Sequence, residues 1–494
     1  MEYGACGDGK SDDSQAFLSA WKSTCATEGA ATLIIPPNKI FLLTNLIFRG
    51  ACKAKSIHIK LQGKIVAPPK EAWKDGSYMI SIEHVNGLTI DGIRGGEING
   101  YGSTWWQCKS CSRPVALAFH SCNDLNVNNV KITNSPRAHI SIDGCNGATF
   151  SNIVVQSPQD SPNTDGFDIS DSKNISIEDS TIQTGDDCIA INGGSSYINA
   201  TRVACGPGHG ISLGKDNSHE IVEEVYVKNC TFTDTTNGAR IKTFPGGSGY
   251  ARKITFEQIK LTNVKNAIII DQHYGIKVEN QESSAVQVSD VRYHGFNGTF
   301  VGGLAIDLDC TSCFNIVLDK INIVSSQPKN TPQLQGKIVA PPKEAWKDGS
   351  YMISIEHVNG LTIDGIRGGE INGYGSTWWQ CKSCSRPVAL AFHSCNDLNV
   401  NNVKITNSPR AHISINDCNG ATFSNIVVQS PQDSPNTDGF DISDSKNILI
   451  EDSTIQTGDG CIAINGGSSY INATRVACGP GHGINTTRNL TCTY

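Results

Sequence analysis

Three features that would assign a chain to a common functional or structural class are missing from this sequence of 494 residues. No apolar run reaches the roughly 18 residues that a membrane-crossing helix requires, so we expect no membrane contact. The net charge of −7 and the isoelectric point near 5.9 offer no basic surface for nucleic acid. Long apolar patterns with helical periodicity are also missing from the body of the chain, which argues against a mainly helical fold.

Cysteine is abundant, at 19 residues, but the spacing that marks a zinc site is lacking. One Cys-x-x-Cys pair, Cys108 and Cys111, occurs in the first part of the chain, and no second pair accompanies it at finger-like spacing. We therefore expect neither a metal nor a cofactor. Sequons of the form N-x-S/T are typical of an oxidising, glycosylating route, and they begin at Asn174, Asn199, Asn229 and Asn297.

The first residues, Met1 to Cys6, contain no apolar signal region. The expectation of an extracellular protein therefore includes a signal peptide that was removed, or a truncated start.

Short alternating segments recur along the chain, and each is too short for a helix. Asn, Asp, Gly and Ser fill the intervals between them, as turns require. A second set of such segments follows three polar motifs: Phe167-Asp168-Ile169, Ile189-Ala190-Ile191 and Ile211-Ser212-Leu213. The pattern predicts an all-β fold, a parallel β-helix with several strands in each coil.

One helix is predicted near the start. Ser11 to Ser14 offer N-cap candidates, and Phe17 and Trp21 belong to an apolar set at helical spacing that ends before Gly29. Because the end of a β-helix exposes strand edges, we expect this helix to cover the N-terminal edge with Phe17 and Trp21. An ordinary surface helix is the alternative.

Three acid/base residues, Asp165, Asp187 and His209, follow one another at equal intervals of 22 residues. In a β-solenoid, residues one coil apart are neighbours at about 4.8 Å. The sequence therefore predicts two carboxylates and one imidazole in a single column. A lone Asp in such a turn is more often a turn cap, but three groups at coil spacing indicate chemistry.

The motifs around this column resemble those of the polygalacturonases, the pectin-cleaving β-helix glycosidases, and the plant members in particular. The resemblance covers most of residues 1–325. It rests on four motifs in order, which are Asn163-Thr164-Asp165-Gly166, Gly185-Asp186-Asp187-Cys188, Gly208-His209-Gly210 and Arg240-Ile241-Lys242. It implies a right-handed, pectin-lyase-like parallel β-helix and hydrolysis of α-1,4-galacturonan with inversion.

The resemblance also implies a role for each motif residue. Asp186 is expected to be the general acid, and Asp165 and Asp187 are expected to hold and deprotonate the attacking water. His209 is expected to support the acid.

Arg240 and Lys242 are two residues apart on a strand, so their side chains share a face on which they can bind the carboxylates of the substrate. Asn163 and Tyr274 match substrate-contacting residues of the family. The pair Trp105-Trp106 suits either stacking on sugar rings or loop packing.

Two disulfides are expected. The family resemblance and a position on adjacent coils both suggest that Cys188 pairs with Cys205, which would make the catalytic wall more rigid. Cys25 and Cys52 are a second candidate pair, although connectivity does not follow from sequence alone.

A second kind of repeat distinguishes this chain from that family. Residues 61–211 recur as residues 334–484, and only four of the 151 aligned positions differ. The differences are Asp143 to Asn416, Gly144 to Asp417, Ser176 to Leu449 and Asp187 to Gly460. We therefore expect three parts: a catalytic domain at 1–325, a linker at 326–333, and an inactive partial copy at 334–494.

The copy retains Asp438, Asp459 and His482 but lacks one water-holding carboxylate and a counterpart of Arg240. It either stacks as further coils on the first solenoid or forms a separate domain. The expected protein is a secreted, monomeric cell-wall hydrolase of pectin, with endo or exo action left open. Two alternatives remain: a pectate lyase, which uses calcium and β-elimination, and a non-catalytic pectin-binding solenoid.

Overall fold

A computed structural model describes residues 1–486 apart from positions 94, 109, 215–218, 273, 276–285, 302–304, 310–311, 327–332, 336, 341–342, 347–349, 357, 359–360, 365–369 and 382. The chain divides into two compact units, residues 1–215 with 221–239 and residues 216–220 with 240–494. The linker predicted at 326–333 falls within the second unit, and 327–332 lie outside the described residues, so the predicted domain boundaries stay a prediction. Among the described residues, no helix combines the length and apolar character needed to cross a membrane.

The described residues up to 233 form one α-helix and 24 short strands, besides the 3-10 helices given below. They are β1 (Asp8–Asp12), α1 (Ser14–Ala26), β2 (Gly29–Ile35), β3 (Ile40–Leu42), β4 (Leu46–Arg49), β5 (Ala54–Leu61), β6 (Lys64–Val66), β7 (Tyr78–Glu83), β8 (Leu88–Asp91), β9 (Glu97–Asn99), β10 (Val115–His120), β11 (Asn123–Asn128), β12 (Lys131–Thr133), β13 (Ile140–Asp143), β14 (Asn146–Ser151), β15 (Val154–Gln156), β16 (Phe167–Ser170), β17 (Lys173–Glu178), β18 (Thr181–Gln183), β19 (Ile189–Ile191), β20 (Ser195–Thr201), β21 (Ala204–Cys205), β22 (Ile211–Leu213), β23 (His219–Lys228) and β24 (Thr231–Thr233).

The remaining elements are strands as well, and short 3-10 helices occupy Lys70–Ala72, Gly102–Thr104, Lys343–Ala345 and Gly375–Thr377. The strands are β25 (Asn237–Lys242), β26 (Ser248–Val264), β27 (Asn266–Asp271), β28 (Gln287–Phe300), β29 (Ile306–Asp309), β30 (Cys313–Asp319), β31 (Asn322–Ser325), β32 (Gln333–Gln335), β33 (Lys337–Val339), β34 (Tyr351–Glu356), β35 (Thr362–Asp364), β36 (Glu370–Asn372), β37 (Val388–His393), β38 (Asn396–Asn401), β39 (Lys404–Thr406), β40 (Ile413–Asn416), β41 (Asn419–Ser424), β42 (Val427–Gln429), β43 (Phe440–Ser443), β44 (Lys446–Glu451), β45 (Thr454–Gln456), β46 (Ile462–Ile464), β47 (Ser469–Thr474), β48 (Ala477–Cys478) and β49 (Ile484–Thr486).

In the first unit the strands form three parallel stacks, one strand of each stack in every coil. The β4 stack continues through β7, β10, β13, β16, β19 and β22. The β2 stack continues through β5, β8, β11, β14, β17, β20 and β23. The β1 stack continues through β3, β6, β9, β12, β15, β18, β21 and β24. The predicted parallel β-helix is confirmed.

The core of this unit consists of apolar side chains from different strands that pack on one another inside the coils. Phe119, Phe150 and Phe167 are fully buried and meet edge to face, with ring centroids 5.8 and 5.4 Å apart. Each coil therefore presents a new apolar surface that only the next coil can cover, as solenoids require.

Helix α1 covers the N-terminal edge, as the sequence predicts. The Phe17 ring lies 5.2 Å from that of Phe41, and Trp21 stacks on Phe48 at 4.7 Å. The Trp21 Nε1–H also donates to the carbonyl oxygen of Arg49, at 3.0 Å. These contacts identify α1 as a cap and not as an ordinary surface helix.

In the second unit the repeated segment forms further coils. The β26 stack runs through β28, β30, β34, β37, β40, β43, β46 and β49. The β27 stack runs through β29, β32, β35, β38, β41, β44 and β47. A third stack joins β33, β36, β39, β42, β45 and β48. Because β34 pairs directly with β30, the copy continues the coils that precede it within this unit.

Candidate active site

Strand register in the β4 stack places the predicted acid/base column on adjacent coils. Phe167 pairs with Ile189, and Ile189 pairs with Ile211, so one coil here contains 22 residues. Asp165, Asp187 and His209 each lie two residues before one of these strand positions. The interval in the sequence is therefore the length of one coil of the solenoid.

Asp187 is the buried member of the column, with 2% of its surface exposed. Its Oδ1 accepts a hydrogen bond of 2.8 Å from the Ser212 hydroxyl on the following coil. Its backbone N–H faces Asp165 Oδ1, at 3.2 Å, and Asp186 Oδ1, at 2.9 Å. These contacts connect all three aspartates through one peptide group and fix their mutual positions.

Asp186 lies between a histidine and an amide. Its Oδ1 is 2.8 Å from His209 Nδ1, and its Oδ2 is 3.5 Å from the Nδ2 of Asn163. The His209 backbone N–H also donates to the Asp186 carbonyl oxygen, at 2.7 Å. Asp186, Asp187 and His209 each have one oxygen or nitrogen atom that could ligate a metal, and these three atoms lie within 4.8 Å of one another. This spacing would also suit a divalent cation.

Gly185 permits the close approach of the turn that carries Asp186 and Asp187. A Cβ atom on Gly185 would lie 2.0 Å from the carbonyl oxygen of Ser161, a distance no side chain tolerates. Glycine at this position therefore lets the turn that carries both carboxylates pack against Ser161.

A buried histidine, His139, contacts the backbone of Asp165. His139 is fully buried, which lowers the pKa of its imidazole to about 4, so the ring is neutral near pH 7. Its Nδ1 lies 3.0 Å from the Asp165 carbonyl oxygen, which can only accept, so Nδ1 carries the proton. Its Nε2 then accepts from the Ser157 hydroxyl, at 2.8 Å. His139 thus holds the backbone of Asp165.

Sequence reasoning did not assign a role to Arg113, Ser212 or His139. Ser212 lies in the segment Ile211-Ser212-Leu213 and His139 directly precedes β13, so strand register could have identified them. Arg113 contacts Asn163, which is 50 residues later, and no periodicity links the two.

The predicted cations lie in the second unit and share one aromatic ring. The Arg240 guanidinium carbon is 5.6 Å from the centroid of the Tyr274 ring, and Lys242 Nζ is 5.2 Å from it. Phe244 packs on the same ring edge to face, at 5.2 Å. The structure therefore brings Arg240, Lys242 and Tyr274 together, as expected for residues on one face.

The structure contains both predicted disulfides, Cys25–Cys52 and Cys188–Cys205. Cys108 and Cys111 form a third one, so this pair is not free to bind zinc. Trp105 is buried against Trp73, with ring centroids 6.1 Å apart, and Trp106 Nε1–H donates to the Ser135 carbonyl oxygen. Both tryptophans thus take part in loop packing.

The copy repeats part of this arrangement. His482 Nδ1 is 2.8 Å from Asp459 Oδ1, and the Gly460 N–H donates to Asp438 Oδ1 at 3.0 Å. Burial, followed by the charges of Asp459 and Asp441, raises the pKa of Asp438 to about 6.

The chain is similar to known proteins in sequence and in fold. The sequence model of the glycosyl hydrolases family 28 matches residues 25–335 and 329–486. A probable polygalacturonase of Arabidopsis thaliana is 46% identical over 347 residues, which cover 68% of this chain and 75% of that protein. Polygalacturonase-2 of Solanum lycopersicum is 39% identical over 375 residues, covering 72% and 79%. The crystal structure of an endo-xylogalacturonan hydrolase from Aspergillus tubingensis is 25% identical with a TM-score of 0.60, and covers 70% of this chain and 96% of that one.

Proposed function

The chain belongs to the glycosyl hydrolases family 28, and on that premise we propose that it hydrolyses the α-1,4-galacturonosidic bonds of polygalacturonate. The observation that carries the proposal is the pairing of Asp186 with His209 beside the linked carboxylates of Asp165 and Asp187. Hydrolysis of a glycosidic bond needs one carboxyl group as acid and another as base, and this cluster supplies both.

Asp186 is the proposed general acid. Its Oδ1 faces His209 and the N–H of Asp187, so Oδ2 is the oxygen we assign to the proton that passes to the leaving group. His209 and Asn163 hold the carboxyl group from two sides. Proton donation by a group held in this way contributes about 10²–10⁴-fold to a rate.

Asp165 and Asp187 are the proposed water-holding pair. The Ser212 hydroxyl fixes one oxygen of Asp187, while His139 fixes the backbone of Asp165. We propose inversion at the anomeric carbon. One carboxylate oxygen of Asp186 lies within 4.8 Å of one of Asp187. Inverting enzymes usually separate their carboxyl groups by about 6.5–9.5 Å, so NMR detection of the first anomer released is a direct test.

Arg240 and Lys242 are the proposed binders of galacturonate carboxylates, and Tyr274 and Asn163 the proposed contacts to the sugar. An Arg fork binds a carboxylate through two parallel hydrogen bonds, which suits a polyanionic substrate. We further propose that the protein is a secreted, monomeric enzyme of the plant cell wall. A size profile of early products separates endo from exo action.

The test is the release of reducing ends from polygalacturonate by the intact protein and by two variants. Asp186→Asn should reduce the rate at least 10²-fold, because the acid is lost. The matched change in the copy, Asp459→Asn, should leave the rate unchanged, because Gly460 stands where a water-holding carboxylate is needed.

The same assay distinguishes hydrolysis from β-elimination, which forms a product double bond that absorbs ultraviolet light. A rise in absorbance that a chelator abolishes would refute the hydrolase. Equal rates for the intact protein and Asp186→Asn would favour a non-catalytic pectin-binding protein instead.

A further inference from the structure

Arg113 reaches across 50 residues of sequence to the Asn163 side chain. It lies in the loop between the Cys108–Cys111 disulfide and β10. Its Nη1 donates to the carbonyl oxygens of Pro136, at 3.2 Å, and of Pro162, and its Nη2 donates to Asn163 Oδ1. The guanidinium is half-buried, and a planar group with this many fixed contacts has one orientation.

The contact determines which end of the Asn163 amide faces the acid. A guanidinium has donors only, so the Asn163 atom that meets it must be the oxygen. The amide nitrogen therefore points to the other side, where it lies 3.5 Å from Asp186 Oδ2. Asn163 itself is exposed, so its side chain is not held by burial in the core.

The charge of Arg113 also acts on Asp186. Burial lowers the pKa of Arg113, as does the neighbouring Arg137, while the Asp186 carboxylate acts in the opposite direction. Since the interaction of two charges is mutual, the cation favours the ionised form of Asp186.

We propose that Arg113 is a positioning residue of the hydrolytic site, which orients the Asn163 amide toward Asp186 and holds a positive charge near this acid. The inference rests on the proposed function, because it assigns to Arg113 an effect on the acid of that reaction. It adds a residue from a separate loop to the four motifs.

The repeated segment provides a matched control. In the copy, Arg386 Nη1 donates to the carbonyl oxygens of Pro435, at 2.6 Å, and Pro409, at 3.3 Å, and its Nη2 donates to Asn436 Oδ1 at 2.8 Å. The same substitution at Arg386 thus breaks the same hydrogen bonds outside the proposed site.

The experiment compares Arg113→Met, Arg113→Lys and Arg386→Met in the intact chain, by pH profiles of kcat/KM on polygalacturonate and by thermal melting. Arg113→Met should lower kcat/KM by about tenfold to a hundredfold, as misplacement of a site by about 1 Å does. It should also move the alkaline limb to higher pH, because loss of the cation raises the pKa of the acid that must be protonated. Arg113→Lys keeps the positive charge, so the alkaline limb of the pH profile should stay at the same pH. Because lysine lacks the planar guanidinium, part of kcat/KM should be lost.

Arg386→Met should lower the melting temperature as Arg113→Met does, with kcat/KM and the limb unchanged. If Arg113→Met retains the rate and the limb, the inference is wrong. If Arg113→Met does not fold, Arg113→Lys decides by its rate, and an unchanged kcat/KM in that variant would overturn the inference. A loss of activity in Arg386→Met equal to that in Arg113→Met would also overturn it, because the effect would then be structural. If the unmodified protein releases no reducing ends, the proposed function fails and this inference fails with it.

Discussion

In the first copy of the repeat Asp187 lies beside Asp165 and Asp186, and in the second copy Gly460 occupies the same position while its neighbours keep theirs. The peptide N–H to carboxylate distance is 3.2 Å for Asp187 and 3.0 Å for Gly460. The imidazole–carboxylate distance is 2.8 Å in both copies. Parallel pairing between coils therefore fixes the backbone, and loss of a side chain changes the chemistry without changing the local architecture.

The surroundings of the two copies differ more than their sequences. His209 exposes 39% of its side chain and His482 exposes 67%. The first strand position after each Gly-His-Gly turn, Ile211 or Ile484, is 0% exposed in one copy and 52% in the other. In the first unit, β20 and β21 pair with β23 and β24, so a further coil covers this region. An acid/base pair with solvent excluded interacts more strongly, because water screens it less.

Within the second unit, the remaining acid/base residues of the copy belong to a different stack from the Tyr274 cluster. Asp438, Asp459 and His482 precede strands of the β26 stack. Tyr274, which Arg240 and Lys242 contact, follows β27 and so belongs to the end of the β27 stack. The cations and the remnant column thus lie at different stacks of this unit.

The largest expected effect comes from making the first copy like the second. Asp187→Gly should lower kcat/KM on polygalacturonate by about 10²–10⁴-fold, because one of the two carboxylates proposed to hold the attacking water is removed. The fold should persist, since the copy shows the same backbone with glycine at this position. Reducing-end release and far-ultraviolet circular dichroism on the same sample check both statements.

Placing an aspartate at Gly460 tests whether the missing carboxylate alone accounts for the expected inactivity of the second copy. In an Asp186→Asn background, Gly460→Asp should restore no activity, because the copy remains more exposed and lies apart from the cations. A Cβ at Gly460 would also lie 2.6 Å from Asp438 Oδ1, so the neighbour has to rotate. Measurable hydrolysis by this double variant would show that the surroundings matter less than we argue.

An intermediate effect is expected from the disulfide next to the site. Cys188 and Cys205 close a loop with a sequence separation of 17, and so do Cys461 and Cys478 in the copy. Loop-closure entropy predicts about 3 kcal/mol for either bond. Replacing Cys188 and Cys205 by serine should therefore lower the urea concentration at the midpoint of unfolding. It should also lower kcat/KM by several-fold.

The matched replacement of Cys461 and Cys478 should affect unfolding only. Equal losses of activity from the two pairs would contradict the assignment of the site to the first copy.

The sequence predicted those parts of the site that depend on coil periodicity. The interval of 22 residues is the length of a coil, so Asp165, Asp187 and His209 could be placed before any coordinates were known. Arg113 could not, because it lies in a loop outside the strands, and an irregular loop has no register that links it to Asn163.

Two other questions, the packing of Trp105 and Trp106 and the placement of the copy, could not be answered from the sequence pattern. Trp105 and Trp106 suited sugar stacking or packing equally well in sequence, and only their contacts with Trp73 and Ser135 decide the matter. The copy was expected either to stack on the first solenoid or to form a separate domain. Within the second unit β34 pairs with β30, whereas its counterpart β7 pairs with β4, so the nearly identical sequence of the two copies does not specify the preceding strand.

The smallest expected effect concerns Asp438, whose pKa is raised from 3.8 to about 6 by burial and by the charges of Asp459 and Asp441. Between these two pH values the folded protein holds a proton that the unfolded chain has released, so this group's contribution to stability falls as the pH rises from about 4 to about 6. At pH 7 the ionised, partly solvated carboxylate should cost about 1 kcal/mol. Asp438→Asn removes the charge and should raise the melting temperature at pH 7, by about 2–4 °C, but not at pH 4. Equal stabilisation at both pH values would attribute the gain to packing, whereas a gain at pH 7 alone would show that the buried Asp438 carboxylate has an electrostatic cost in the copy.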